Sequence, residues 1–194
     1  MLRHKLGLIF AVALGGSVLL PDSAEATASR RYQVQLPFSD IKAGAAHTEI
    51  RAPLELVRSV VTDYGRWGEH IKRFDKAHII GRHGDTTDVY LQVPVMKGAA
   101  KVWGVVRFDA PKIGNNGEEV IVGRLLKGNI KRLDARFRLS KIDDQKTALD
   151  LELLIVPDFF VPLPNSMVTD ELEYAAAKAV EGVGDSSERL SPRG

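Results

Sequence analysis

One stretch, from Thr147 to Val183, leaves the rest of the chain few choices. It begins with Leu149, Leu151, Leu153 and Ile155 alternating against Asp150 and Glu152, the period-two pattern of a half-buried strand. It ends with Val168, Leu172, Ala175, Ala176, Ala179, Val180 and Val183, whose offsets draw one apolar stripe along a helix. Pro157, Pro162 and Pro164 end the strand and set the turn between them. Asn165 or Ser166 is the expected N-cap, with Asp170 and Glu171 near the positive end of the helix dipole. A helix of this kind must lay its narrow, alanine-lined face on something apolar. The only large apolar surface the chain offers is the sheet before it.

That sheet can be read in order. Tyr32 to Leu36 and His47 to Arg51 are short candidate strands. Pro53 opens a helix with Leu54, Val57, Val60 and Val61 on one face, and Asp63-Tyr64-Gly65 and then Gly68 break it. Lys76 to Arg82, Thr87 to Val95, Ala100 to Ala110, Glu119 to Leu126 and Ile130 to Ile142 then read as strands joined by short turns. Met96-Lys97-Gly98 and Gly114-Asn115-Asn116-Gly117 are two of those turns. Strands so joined are antiparallel neighbours. The fold class expected is α+β: an antiparallel sheet of about seven strands, two short amino-terminal helices and a long carboxy-terminal helix. The polar tail after Val183 is expected to fray.

Leu133, Ala135, Phe137 and Leu139 alternate with Arg132, Asp134, Arg136 and Arg138. If this strand pairs with the next, arginines and carboxylates share the outer face and the inner face is wholly apolar. The arginine row then reads as a solvated face. Asp134, Asp150 and Glu152 would blunt any nucleic-acid-binding stripe. The small residues at 175, 176, 177 and 179 allow two readings, a close helix–sheet approach or space left for a ligand. Tyr64, Trp67, Phe159 and Phe160 gather at the open end, while periodicity assigns Trp103 to neither face.

At the amino terminus Arg3, His4 and Lys5 precede an uncharged run from Leu6 to Leu20, about the length of a signal-peptide core. Ala24-Glu25-Ala26 fits a small-x-small cleavage site. The expected organisation is a signal peptide at 1–26, a lead at 27–47, one folded domain at 48–184 and a polar tail at 185–194. The chain would be exported, periplasmic or secreted. With formal charge +2 and no cysteine, neither a nucleic-acid partner nor thiol chemistry is implied. The five histidines form no metal-ligand spacing, and no nucleophile elbow, phosphate loop or dinucleotide motif occurs. No metal, cofactor or catalytic residue is assigned. Asp63, the carboxylate nearest to a role, reads as a helix terminator.

A strand ending at Ile50, then Ala52-Pro53-Leu54-Glu55-Leu56-Val57, then Val61-Thr62-Asp63-Tyr64-Gly65-Arg66-Trp67, resembles the opening of the START-like superfamily. That group, also called SRPBCC, includes polyketide cyclases and coenzyme Q-binding proteins. Arg58 stands where a tryptophan or phenylalanine is common in it. The resemblance spans roughly Thr48 to Val183 and rests on the order of elements more than on any one motif. It implies a helix-grip fold, with a curved sheet around the long helix and a cavity between them for a lipid, sterol, quinone or polyketide-like molecule. The residues expected to line it are Leu91, Val93, Leu133, Phe137, Leu151 and Leu153 on the sheet. Trp67, Phe159, Phe160, Met167, Val168 and Ala175 complete the set. Transient membrane contact would accompany ligand exchange, with the Asp158–Pro164 crossing as a hinged cover. A cyclase- or aromatase-like enzyme is the alternative on this scaffold and would need ionisable groups inside the cavity. An interaction module with a filled core would leave a cavity below about 300 Å³.

Overall fold

The computed structural model describes residues 28–95, 100–158 and 164–191. Nine strands lie among them: β1 (Arg30–Val34), β2 (Ala43–Ile50), β3 (Lys76–His83), β4 (Thr86–Val95), β5 (Ala100–Asp109), β6 (Lys112–Ile113), β7 (Glu119–Gly128), β8 (Ile130–Asp143) and β9 (Lys146–Pro157). The helices are α1 (Leu54–Thr62), α2 (Trp67–His70) and α3 (Asn165–Leu190), with a 3-10 turn at Tyr64–Arg66. The expected signal peptide, the Met96-Lys97-Gly98 turn, and Phe159 and Phe160 lie outside the described residues.

All strand pairs are antiparallel, in the order β1-β2-β9-β8-β7-β5-β4-β3, with β6 on β7. The β8–β9 register sets Leu133 opposite Ile155, Ala135 opposite Leu153, Phe137 opposite Leu151 and Leu139 opposite Leu149, so one face is apolar throughout. On the other face Arg138 donates to Glu152 at 2.8 Å, and Tyr32 donates to Asp150 at 3.1 Å. Burial, and then the nearby Asp150 carboxylate, push the Tyr32 hydroxyl up to about 12. Irregularities in register between Ile79 and Gly81, between Val105 and Val106, and at both ends of β8 bend the strands. The sheet curves about α3, which packs on β2, β9 and β1 and on α1.

The count exceeds the seven or so strands expected. β6 is too short to leave a pattern. β2 begins at Ala43 instead of His47, because Ala43-Gly44-Ala45-Ala46 has little strand preference of its own and is held extended by β9 and α3. At Gly44 a Cβ would stand 2.0 Å from the Glu173 backbone nitrogen, so helix and strand touch backbone to backbone there. Of the small helix residues, Ala176 and Ala177 are buried in the core.

Two helix ends differ from expectation. α3 follows Pro164 without a side-chain cap, and the Asn165 amide instead donates to the Asp40 carbonyl at 3.4 Å. The helix also continues past Val183 to Leu190. Gly184, Ser186 and Ser187 are buried there, and Glu188 accepts from the Arg51 backbone N–H at 2.9 Å. Arg58, the departure from the START-like pattern, makes a two-pronged pair with Glu119 at the head of β7. The Glu119 carboxylate raises the Arg58 guanidinium above its ordinary value. Among the described residues no helix is long and apolar enough to cross a membrane.

Candidate functional site: an apolar cavity under the long helix

Between the concave face of the sheet and α3 lies a cavity of about 820 Å³. Its walls follow from the alternation on each strand. β4 contributes Leu91 and Val93, and β5 contributes Val102, Val106 and Phe108. β8 contributes Leu133, Ala135 and Phe137, and β9 Leu151, Leu153 and Ile155. Met167, Val168, Leu172, Ala175 and Ala179 of α3 form the cover. The helix alanines thus divide between open space and close packing. Ala175 and Ala179 face the cavity, while α3 closes on the sheet at Gly44.

An aromatic cluster stands at one end. Trp67, 3% exposed, packs against Tyr64, Phe74, Phe108 and Phe137 with ring centroids 5.3 to 5.9 Å apart. Its indole N–H donates to the Val61 carbonyl at 3.0 Å, which satisfies the only polar atom the ring would bring to the wall. Tyr64 stacks on Phe108 at 4.6 Å, and burial raises its hydroxyl well above the ordinary value. Trp103, which periodicity left unplaced, stacks on Tyr90 at 6.0 Å on the outer side and borders the cavity at its edge.

The charged side chains on the described wall are Arg73, in the α2–β3 connection, and Glu171 on α3, which pair with each other. The Arg73 guanidinium also lies 5.0 Å from the centre of the Tyr174 ring. Glu171 and Met167 are both more than half exposed, so this is the rim.

Ten of the residues expected at the site line the cavity: Trp67, Leu91, Val93, Leu133, Phe137, Leu151, Leu153, Met167, Val168 and Ala175. Arg73, Phe74, Ile71 and Glu171 escaped the sequence reading, because the segment between Gly68 and Lys76 has no period and Glu171 reads only as a helix-dipole charge. Val102, Val106 and Phe108 show the right alternation but needed the register with β4 to fix their face.

A second polar group lies apart from the cavity. The His70 Nδ1 is 3.2 Å from Ser186 Oγ, and its Nε2 is 3.6 Å from Asp63. The residue types are those of an acyl-transfer triad. Ser186, however, is 1% exposed, accepts from Arg189 at 3.1 Å and is not on the described wall of this cavity, so a molecule held there does not meet it. The group ties α2 to α3. Asp63 ends α1 as expected, though its carboxylate faces Arg66 and His70 instead of the backbone. Among the described residues no three potential ligands cluster for a metal.

No family model matches the chain, and no curated protein matches it in sequence. Solved structures match its shape. A STAR-related lipid transfer protein from Xanthomonas axonopodis superposes with a TM-score of 0.69 at 12% identity, covering 84% of this chain and 95% of that one. The human StarD13 lipid transfer and protein localization domain gives 0.69 at 14% identity, over 84% and 86% of the two chains. The Streptomyces aromatase/cyclase Zhui gives 0.56 at 19% identity, over 83% and 94%. The chain has the START-like, helix-grip fold.

Proposed function

We propose that this protein holds an apolar small molecule, of the lipid, sterol, quinone or polyketide-like class, between its sheet and α3. The observation that carries the reading is a cavity of about 820 Å³ whose described wall is apolar except for one ion pair at the rim. That size lies well above the roughly 300 Å³ at which ligand sites begin. It also argues against a filled interaction module. The likeness to lipid-transfer domains supports the reading. Likeness to an aromatase/cyclase raises the enzyme alternative, but the described interior wall presents no pair of acid and base side chains to carry it.

Burial supplies the affinity. Hiding about 300 Å² of apolar ligand surface is worth roughly 7 kcal/mol at about 25 cal/mol per Å². Lost ligand freedom takes back several kcal/mol, so binding at about micromolar strength is expected. Export after cleavage near Ala26, and brief membrane contact during exchange, belong to the same proposal. Mass spectrometry of small molecules co-purifying with the protein, with titration of an apolar fluorescent probe, tests it. A clean spectrum together with no probe uptake would sink it. Terminal sequencing of the protein recovered outside the cytoplasm tests export, with Thr27 as the expected first residue.

A further inference from the structure

We propose that the ligand carries one anionic head group, which Arg73 receives at the rim in place of Glu171. This rests on the cavity reading above. The described interior offers no polar group to a head, so a charged head has to stay at the rim while the apolar body goes in. At the rim the described wall offers one cation, Arg73, and one anion, Glu171, and their surroundings differ. Glu171 is 59% exposed and loses little by turning into water. Arg73 is only 25% exposed and is held by the Tyr174 ring as well, so it stays when Glu171 leaves.

The neighbouring carboxylates do not take Glu171's place. Glu181 is held by Lys178 at 2.6 Å, and Asp75 by Lys101 at 2.8 Å. The Lys178 ammonium, 5.6 Å from the Tyr174 ring centre, is matched by Glu181, so that pair adds no net charge beside Arg73. With Glu171 turned away, Arg73 presents a planar fork of N–H donors whose charge the neighbouring, already paired carboxylates do not cancel. Such a fork fits a carboxylate or a phosphomonoester, and it gives a cationic head no partner. The ligand class is a single-headed anionic amphiphile.

The test compares three probes on one alkyl chain: a fatty carboxylate, its neutral methyl ester and an alkyl phosphate. Each is titrated against the full chain and against Arg73→Gln and Glu171→Gln. Arg73→Gln is expected to weaken at least one of the anions about tenfold and to leave the ester unchanged. Glu171→Gln, which removes the competitor, is expected to tighten the same anion several-fold. Whichever anion responds names the head, and a response from both leaves the shared charge as the recognised feature. Equal effects on ester and anions, or none on the anions, would overturn this inference while the cavity reading stands. Failure of the unaltered protein to bind any of the three would overturn both. Should Arg73→Gln fail to fold, Glu171→Gln decides alone, since tightening of an anion is not a result that damage produces.

Discussion

Gly44 shows how much can depend on an atom that is missing. A methyl group there would meet the backbone of Leu172 and Glu173 at 2.0 to 2.2 Å, and backbone cannot move aside as a side-chain tip can. Gly44→Ala is therefore expected to cost about 3 kcal/mol or more, read as a lower urea midpoint. Nothing in the local sequence marks this glycine, because its constraint comes from α3, more than a hundred residues later. Asp88 makes a different prediction. Its carboxylate accepts two bonds from Arg107, at 2.7 and 2.8 Å, and this pairing holds it below the usual carboxylate range. A carboxylate depressed on folding adds stability above its unfolded value of about 3.9 and loses it as pH falls through the lower folded value. Asp88→Asn should thus destabilise at pH 7 and flatten the loss of stability below about pH 4, measured by denaturation across that range.

At the level of elements, β8 and β9 were legible because each alternates cleanly, and their pairing follows from the short turn between them. α3 was legible in its first part, where its apolar stripe faces the sheet, but not in its last turns. Those turns are polar in sequence, and Ser186 and Ser187 are buried because α1 and α2 pack there. The site divided in the same way. Side chains on regular strands could be assigned to the cavity in advance, whereas Arg73 and Phe74 sit on an irregular connection that no period describes. The Arg58–Glu119 pair is the joint between α1 and the sheet at β7, with the Glu119 side chain 11% exposed. Glu119→Gln leaves the guanidinium with a weaker acceptor and should cost about 1–3 kcal/mol. Hydrogen exchange should speed up in α1 before it does in β8.

For the molecule as a whole, the question is whether the space under α3 is a ligand site. Ala135 projects from β8 into that space. Enlarging a buried alanine ordinarily overpacks a core and costs about 1–3 kcal/mol. Here the added methyl groups of Ala135→Leu enter the cavity, so the melting temperature should hold or rise while affinity for an apolar probe falls about tenfold. A melting temperature several degrees lower would mean that the region is packed like ordinary core. The same cavity depends on the order in which the chain is made. β2 pairs with β9, Gly44 facing Leu153, and α3 comes later still. While the polypeptide emerges from the ribosome, β2 has only β1 beside it until residues 146–157 have been synthesised. Contacts so distant in sequence form slowly. A nascent chain of this protein can therefore pair β3 through β8 as they emerge, but it cannot join β1 and β2 to them or roof the cavity until β9 and α3 have been made.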